Sequence, residues 1–284
     1  MNRLLTAVKS ILLGLASAAL WANAQAASIL YVANGLSSSS GNEPTLVSVL
    51  EAEGHTVTEV FNDGPDANGN LTLQGDLSPY DAVYWAASDS NKNTLRTSAA
   101  TISALEDYVE AGGFLYITGY DSIASPADQL LADFIAGATG VGIDDNYGNG
   151  TVTVANVLTQ GVVDLVGVRV DDLDDQDEIA IADLGASATG VSCDAQGCSV
   201  ILRTLGSGYV AYVSTDGESN GDYSDSGVSD DYYAYNGFLR NFAFNANARA
   251  RETGSSVPVP TLPVFGLGIL ISLLGFFGLR KLRR

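Results

Sequence analysis

Gly112-Gly113-Phe114-Leu115-Tyr116-Ile117-Thr118-Gly119-Tyr120-Asp121 is the stretch on which the fold turns. Phe114 to Ile117 form an unbroken apolar and aromatic run, as expected of a strand buried on both faces in a helix-covered parallel sheet. Ahead of it, Ile102, Leu105, Tyr108 and Val109 recur at helical spacing, and Gly112-Gly113 stops that helix. The unit reads as helix, tight turn, central strand and a sharp turn at Gly119. In open α/β sheets, groups just past the carboxyl end of a strand line the ligand crevice. Thr118, Tyr120 and Asp121 are therefore the first candidate site positions.

Working outward, short apolar strands alternate with helices on the amino side. The segments are Ser28–Val32, a helix after Pro44 carrying Leu46, Val47 and Leu50, His55–Val60, Tyr80–Trp85 and the helix Thr97–Ala111. On the other side comes a helix over 126–136, with Leu130, Leu131, Phe134 and Ile135 on its apolar face. Such alternation predicts a parallel sheet joined by crossovers. Beyond Gly140 the pattern becomes β-rich, with strands expected at 151–154, 166–170, 178–181, 199–202 and 209–213. Some of these must pair antiparallel, because the connection through Cys193 and Cys198 is too short for a crossover. A last helix is expected over Tyr235 to Phe244.

Two targeting segments flank this body. Arg3 and Lys9, the apolar run Ile11 to Leu20 and Ala24-Gln25-Ala26 read as a secretory signal over residues 1–26, with the mature chain starting at Ala27. The partners this implies are the Sec translocon and signal peptidase. After a linker at 247–256, residues 257–284 hold Val257-Pro258-Val259-Pro260-Thr261-Leu262-Pro263. An apolar run over 264–279 and the basic end Arg280-Lys281-Leu282-Arg283-Arg284 follow. The run approaches a membrane span in length, and the trailing cations place the C-terminus in the cytoplasm and the body outside. This arrangement resembles the PEP-CTERM class of sorting tails. Val259, Pro260, Thr261 and Leu262 look most like its Ile-Pro-Thr-Leu variant, and Pro263 departs from that pattern. The resemblance implies processing by an exosortase-type membrane protease and release to the cell surface or matrix. A permanent single-span anchor is the alternative.

The chain has 284 residues, and all 33 acidic ones lie between these segments. Seven cations oppose them there, so the mature body carries a net charge of −26. That sign excludes nucleic acid as a partner and favours divalent cations. The two cysteines, Cys193 and Cys198, flank Asp194-Ala195-Gln196-Gly197, and in an oxidising envelope they are expected to close a disulfide across a hairpin.

The order of elements, with Ile29–Val32, Leu50–His55, Tyr80–Val83 and Leu105–Thr118, resembles the class I glutamine amidotransferase-like fold in its exported, trehalose-utilisation-like branch. Asn156-Val157-Leu158-Thr159-Gln160-Gly161-Val162, Gly208–Val213 and Tyr235–Phe242 carry the likeness further. It implies a three-layer, open, mostly parallel sheet of flavodoxin-like type with helices on both faces, plus an antiparallel β-rich part in the second half, over residues 27–246. Working members of that family place a cysteine nucleophile after the central strand and a histidine near the domain's end. Here the elbow reads Thr118-Gly119-Tyr120-Asp121, and the lone histidine, His55, precedes it. A nucleophile without an adjacent base is not activated, so glutaminase chemistry is not expected.

What remains are carboxylates. Asp121 with Tyr120 is a candidate acid/base pair, or a turn cap for the helix that follows. Three tracts are candidate calcium loops or solvated charge: 171–178, the group Asp63, Asp66, Asn68 and Asn70, and the loop with Asp216, Glu218, Asp222, Asp225, Asp230 and Asp231. The last is the preferred metal site, because it leaves a strand end on the crevice side. Two functional readings follow. One is a non-catalytic envelope or matrix protein, with extracellular polysaccharide as a possible partner. The other is an envelope hydrolase of carbohydrate or amide using carboxylates held across a cleft.

Overall fold

The computed structural model describes residues 26–33, 43–61, 70–71, 75–86, 96–118, 122–124, 127–145, 150–170, 177–214 and 230–253. Residues 1–25 of the expected leader, the expected sorting motif Val259–Pro263 and the apolar run 264–279 lie outside these residues. Among the described residues no helix is long and apolar enough to cross a membrane.

Five strands form the parallel heart of the sheet: β1 (Ser28–Ala33), β2 (Thr56–Phe61), β4 (Ala82–Ala86), β6 (Phe114–Thr118) and β13 (Gly208–Val213). They run in the order β2-β1-β4-β6-β13. The direction of strand addition reverses at β1, as in doubly wound sheets. Beyond β13 the sheet continues through β12 (Gly197–Leu205), β10 (Asp177–Ala180) and β7 (Ile143–Asp145), each antiparallel to its neighbour. β11 (Ala188–Cys193) pairs with β12 as a hairpin. Two short pairs stand apart, β3 (Asn70–Leu71) with β5 (Arg96–Thr97), and β8 (Gly150–Thr151) with β9 (Arg169–Val170). The architecture is α/β, with a mostly parallel sheet and added antiparallel strands.

Alternate residues of the parallel strands enter opposite cores, as a period of two demands. Ile29, Tyr31, Ala82, Tyr84, Phe114, Tyr116, Ala211 and Val213 meet α1 (Glu43–Ala52) and α4 (Asp230–Thr253) on one face. Leu30, Val32, Val83, Trp85, Leu115, Ile117, Val210 and Tyr212 meet α2 (Ala99–Glu110) and α3 (Gln129–Ala136) on the other. β6 is buried at all five positions, which is why its sequence lacks alternation.

The double glycine before β6 is required twice over. Gly112 takes φ 113°, which L side chains rarely adopt. At Gly113 the Tyr108 ring lies where a Cβ would go. Tyr108 in turn donates its hydroxyl to the Tyr80 carbonyl at 3.2 Å, fastening α2 across the strand ends.

Three expectations need correcting. The final helix does not stop at Phe244 but runs from Asp230 to Thr253. Ala246, Asn247 and Ala250 are buried, so most of the expected linker 247–256 is packed helix. The expected strands at 151–154 and 166–170 shrink to two-residue bridges, because Asn156 and Thr159 wind the intervening chain into a side-chain-capped turn. Lastly, β11 was not expected, since Ala188-Thr189-Gly190 carries little apolar signal. Asn241 and Asn245 of α4 hold that capped turn through the carbonyls of Val157, Leu158, Gln160 and Val163.

Candidate functional site

The carboxyl edge of the sheet is where α/β folds bind ligands, and here it holds a buried polar cluster. β6 ends at Thr118, and the chain returns to the described fold at Ser122. Asp177 opens β10 beside this elbow and is fully buried. Its Oδ2 accepts the backbone N–H of Ile123 at 2.6 Å, that of Ala124 at 3.2 Å and the Ser122 hydroxyl at 3.3 Å. The Asp177 N–H donates to Ser214 Oγ, just past β13, at 2.7 Å. Tyr212 completes the set, its hydroxyl 2.9 Å from Ser122 Oγ. Either hydroxyl can donate in that contact, and the Tyr212 hydroxyl also donates to the Asp177 backbone carbonyl at 3.4 Å.

Burial, then the charge of Asp177, push the Tyr212 hydroxyl well above the ordinary tyrosine range; hydrogen bonds from Ser122 and Ser214 oppose this and Glu178 adds to it. Tyr212 is therefore a neutral donor at any physiological pH. A cradle of two adjacent N–H groups and a hydroxyl resembles the donor set that steadies an oxyanion in acyl transfer. In this chain the anion they hold is the protein's own carboxylate, which leaves those donors satisfied.

Two further polar atoms at this edge are buried and have no hydrogen-bond partner among the described residues, Thr118 Oγ1 and Trp85 Nε1. They do not cooperate, because Trp85 enters the core of α2 and α3, whereas Thr118 follows Ile117 and points to the opposite face.

Of the expected site residues, Thr118 lies at this edge, while Tyr120 and Asp121 fall outside the described residues. Asp216, Glu218, Asp222 and Asp225 do too; Asp230 and Asp231 form the first turn of α4. Among the described residues no group of three or more His, Cys, Asp or Glu side chains is placed to hold a metal ion. Asp177 and Glu178, expected within a solvated or calcium-binding tract, are instead interior residues of β10. The apolar continuation Ile179-Ala180 is the one sequence signal that separates them from the acids before them.

Cys193 and Cys198 form the expected disulfide, opposite one another in the β11–β12 hairpin. Asp128 is a site of order that sequence reading missed. It caps α3 at Leu131 and accepts from both the N–H and the hydroxyl of Thr97, each at 2.7 Å, tying α3 to β5.

His55, whose place after Gly54 at a strand start suggests a surface or edge residue, is 6% exposed just ahead of β2, at the opposite edge of the sheet from the Asp177 cluster. Its Nδ1 accepts the N–H of Ala27 at 2.9 Å, and burial lowers its pKa to about 4 against the partial opposition of Glu53. The imidazole therefore does not face the elbow.

No family model and no curated protein matches this sequence. Solved structures similar to it share low identity. One is the cytoplasmic protein STM1381 from Salmonella typhimurium LT2, 15% identical with a TM-score of 0.45 over 79% of this chain and 98% of that one. Another is the exo-beta-1,4-mannosidase Op5Man5 from Opitutaceae bacterium strain TAV5, 17% identical with a TM-score of 0.46, covering 75% of this chain but 36% of the enzyme. The mmIFT52 N-terminal domain is 12% identical with a TM-score of 0.45 over 82% of this chain and all of that domain. These likenesses concern architecture and not activity.

Proposed function

We propose that this protein is an exported, non-catalytic amidotransferase-like domain of the bacterial cell envelope or extracellular matrix. In this reading the Sec translocon and signal peptidase deliver it, an exosortase-type protease processes its tail, and extracellular polysaccharide is the candidate partner. The observation that supports the absence of catalysis is the Asp177 carboxylate seated on the elbow donors Ser122, Ile123 and Ala124. Donors engaged by an internal carboxylate are not available to steady charge developing in acyl transfer, which supports a structural use of this turn. The acidic loop from Asp216 to Asp231 is proposed to bind calcium weakly and so to neutralise part of the body's charge.

The test is fractionation of the native cell, followed by turnover screens of the purified protein on glycans and amides and by pull-down on matrix polysaccharide. Surface or matrix location, polysaccharide retention and no turnover are expected. Turnover lost on Asp121→Asn but kept in a fold-matched control would overturn the reading in favour of an envelope hydrolase.

A further inference from the structure

The amino edge of the sheet carries an arrangement that the function above does not use. The described fold begins at Ala26, and the very next residue, Ala27, is 1% exposed and belongs to the core. Its nitrogen donates to His55 Nδ1 at 2.9 Å, and its carbonyl accepts the Thr56 N–H at 2.9 Å. One residue along, the Ser28 N–H donates to Asp81 Oδ2 at 2.8 Å, while the Asp81 N–H returns a bond to the Ser28 carbonyl at 2.8 Å. Consecutive backbone nitrogens lie within about 4 Å, so the Asp81 carboxylate is no more than roughly 7 Å from the Ala27 nitrogen. Both side chains offer acceptors there, a neutral imidazole nitrogen and an anion.

An amide N–H needs only one acceptor and gains nothing from a nearby charge. Desolvation raises the pKa of the half-buried Asp81 carboxylate, against the Ser28 hydrogen bond. A cation at Ala27 would favour its charged form. The sequence places Ala24-Gln25-Ala26, small residues at the two positions that signal peptidase reads, immediately before that nitrogen.

We propose that leader removal at the Ala26–Ala27 bond delivers a new α-amine to a prebuilt acceptor pair, His55 Nδ1 and the Asp81 carboxylate, so that processing completes the first strand's anchorage. Hydrolysis adds water across the bond, leaving a carboxylate on Ala26 and an amine on Ala27. The amine keeps the His55 hydrogen bond and, protonated, gains Asp81 as counter-ion. The other charged or titratable groups facing this point are Glu53 at the end of α1, which acts on His55 and pairs with Arg240 of α4, and Tyr108 of α2, which is coupled to Asp81. The inference rests on the export reading and adds a specific first residue and a receptor for it.

Two chains test it, one beginning at Ala27 and one at Gln25, each released from a cleavable fusion, carried through Arg284 and purified in detergent. Acylation of the α-amine at pH 7.5, followed by intact mass, should be about 100-fold slower for the Ala27 chain, as for a group that reacts only after local opening. Asp81→Asn, which retains an acceptor for Ser28, should speed that labelling about 10-fold and lower Tm in the Ala27 chain. In the Gln25 chain it should leave Tm unchanged or raise it. Equal labelling rates for the two chains, or the same Asp81→Asn effect in both, overturns the docking. N-terminal sequencing of protein from the native envelope should give Ala27. Export with another first residue overturns this inference alone, whereas recovery with residues 1–26 intact overturns the export reading with it.

Discussion

Acidification should destabilise this protein through His55 before most carboxylates titrate. Its Nδ1 can accept the Ala27 N–H only while unprotonated, and it is enclosed at 6% exposure. The unfolded chain titrates this ring near 6.5 and the folded one at about 4. Between those values the unfolded state binds more protons, so stability falls as pH falls and is fully present only above 6.5. A difference of about 2.5 units corresponds to about 3 kcal/mol, at roughly 1.4 kcal/mol per unit, lost by the bottom of the window. For a body of this size that is a fall in Tm of about 6–12 °C. Carboxylates titrate at the lower end too. Asp81, whose pKa burial raises, contributes in the opposite sense, stabilising as pH falls through its folded pKa. The measurement is therefore a difference, wild type against His55→Asn, in chains starting at Gln25 so that the Ala27 nitrogen stays an amide. Asparagine keeps an acceptor near the Nδ1 position and does not titrate, and the carboxylate contributions cancel between the two. Thermal melts from pH 7.5 to 4 should converge on the variant's profile as the wild type loses its advantage. Parallel profiles throughout would refute the assignment of His55 as a buried neutral acceptor.

The remaining predictions concern packing, the disulfide and metal. Gly237→Ala would set a methyl 2.7–2.9 Å from the side chains of Leu165 and Val163, an overpacking expected to cost about 1–3 kcal/mol by denaturant titration. A Cβ at Gly190 would overlap both sulfurs of the Cys193–Cys198 bridge, so Gly190→Ala should yield protein whose thiols alkylate without reductant, while the wild type stays closed in the same mass-spectrometric assay. Asp177→Ala strands the Ile123 and Ala124 N–H groups and should cost about 3 kcal/mol in chemical melts, with Asp177→Asn intermediate. Calcium at about 100 times its Kd should raise Tm by about 5–10 °C over chelator, through the Asp216–Asp231 loop; equal melts would reduce that loop to solvated charge.

The parts of the fold legible in the sequence are those where one local signal decides. The run Phe114–Ile117 announced a doubly buried strand, and Gly112-Gly113 announced the end of its helix, because backbone conformation and close approach leave no substitute there. Cysteine spacing disclosed the hairpin disulfide. The functional edge was harder, since carboxylates look alike until the fold decides which are covered. Asp177 belongs to the same acidic tract as its predecessors, yet pairing of β10 with β12 and β7 carries it into the interior. His55 looked like an edge residue, and it is one by topology. Its burial arises from Ala27, 28 residues earlier, which periodicity cannot reveal. The final helix was expected to end at Phe244 with a linker at 247–256, yet Asn245 bonds the Val157 and Gln160 carbonyls and Arg251 bonds Asn247, contacts that local sequence does not display.

The two sheet edges then divide the chemistry in an unexpected way. At the carboxyl edge, where related architectures work on ligands, the elbow donors are bound to an internal carboxylate and Tyr212 is fixed as a neutral donor. At the amino edge, a neutral histidine and a half-buried carboxylate flank the first residues of the core. A hydrogen-bonded carboxylate that is wholly enclosed resists displacement, since freeing it exposes a charge and three donors at once. At the amino edge the proposed processing would instead create an α-amine next to acceptors that already bond Ala27 and Ser28, so the two edges differ in which of their polar groups are engaged by the interior.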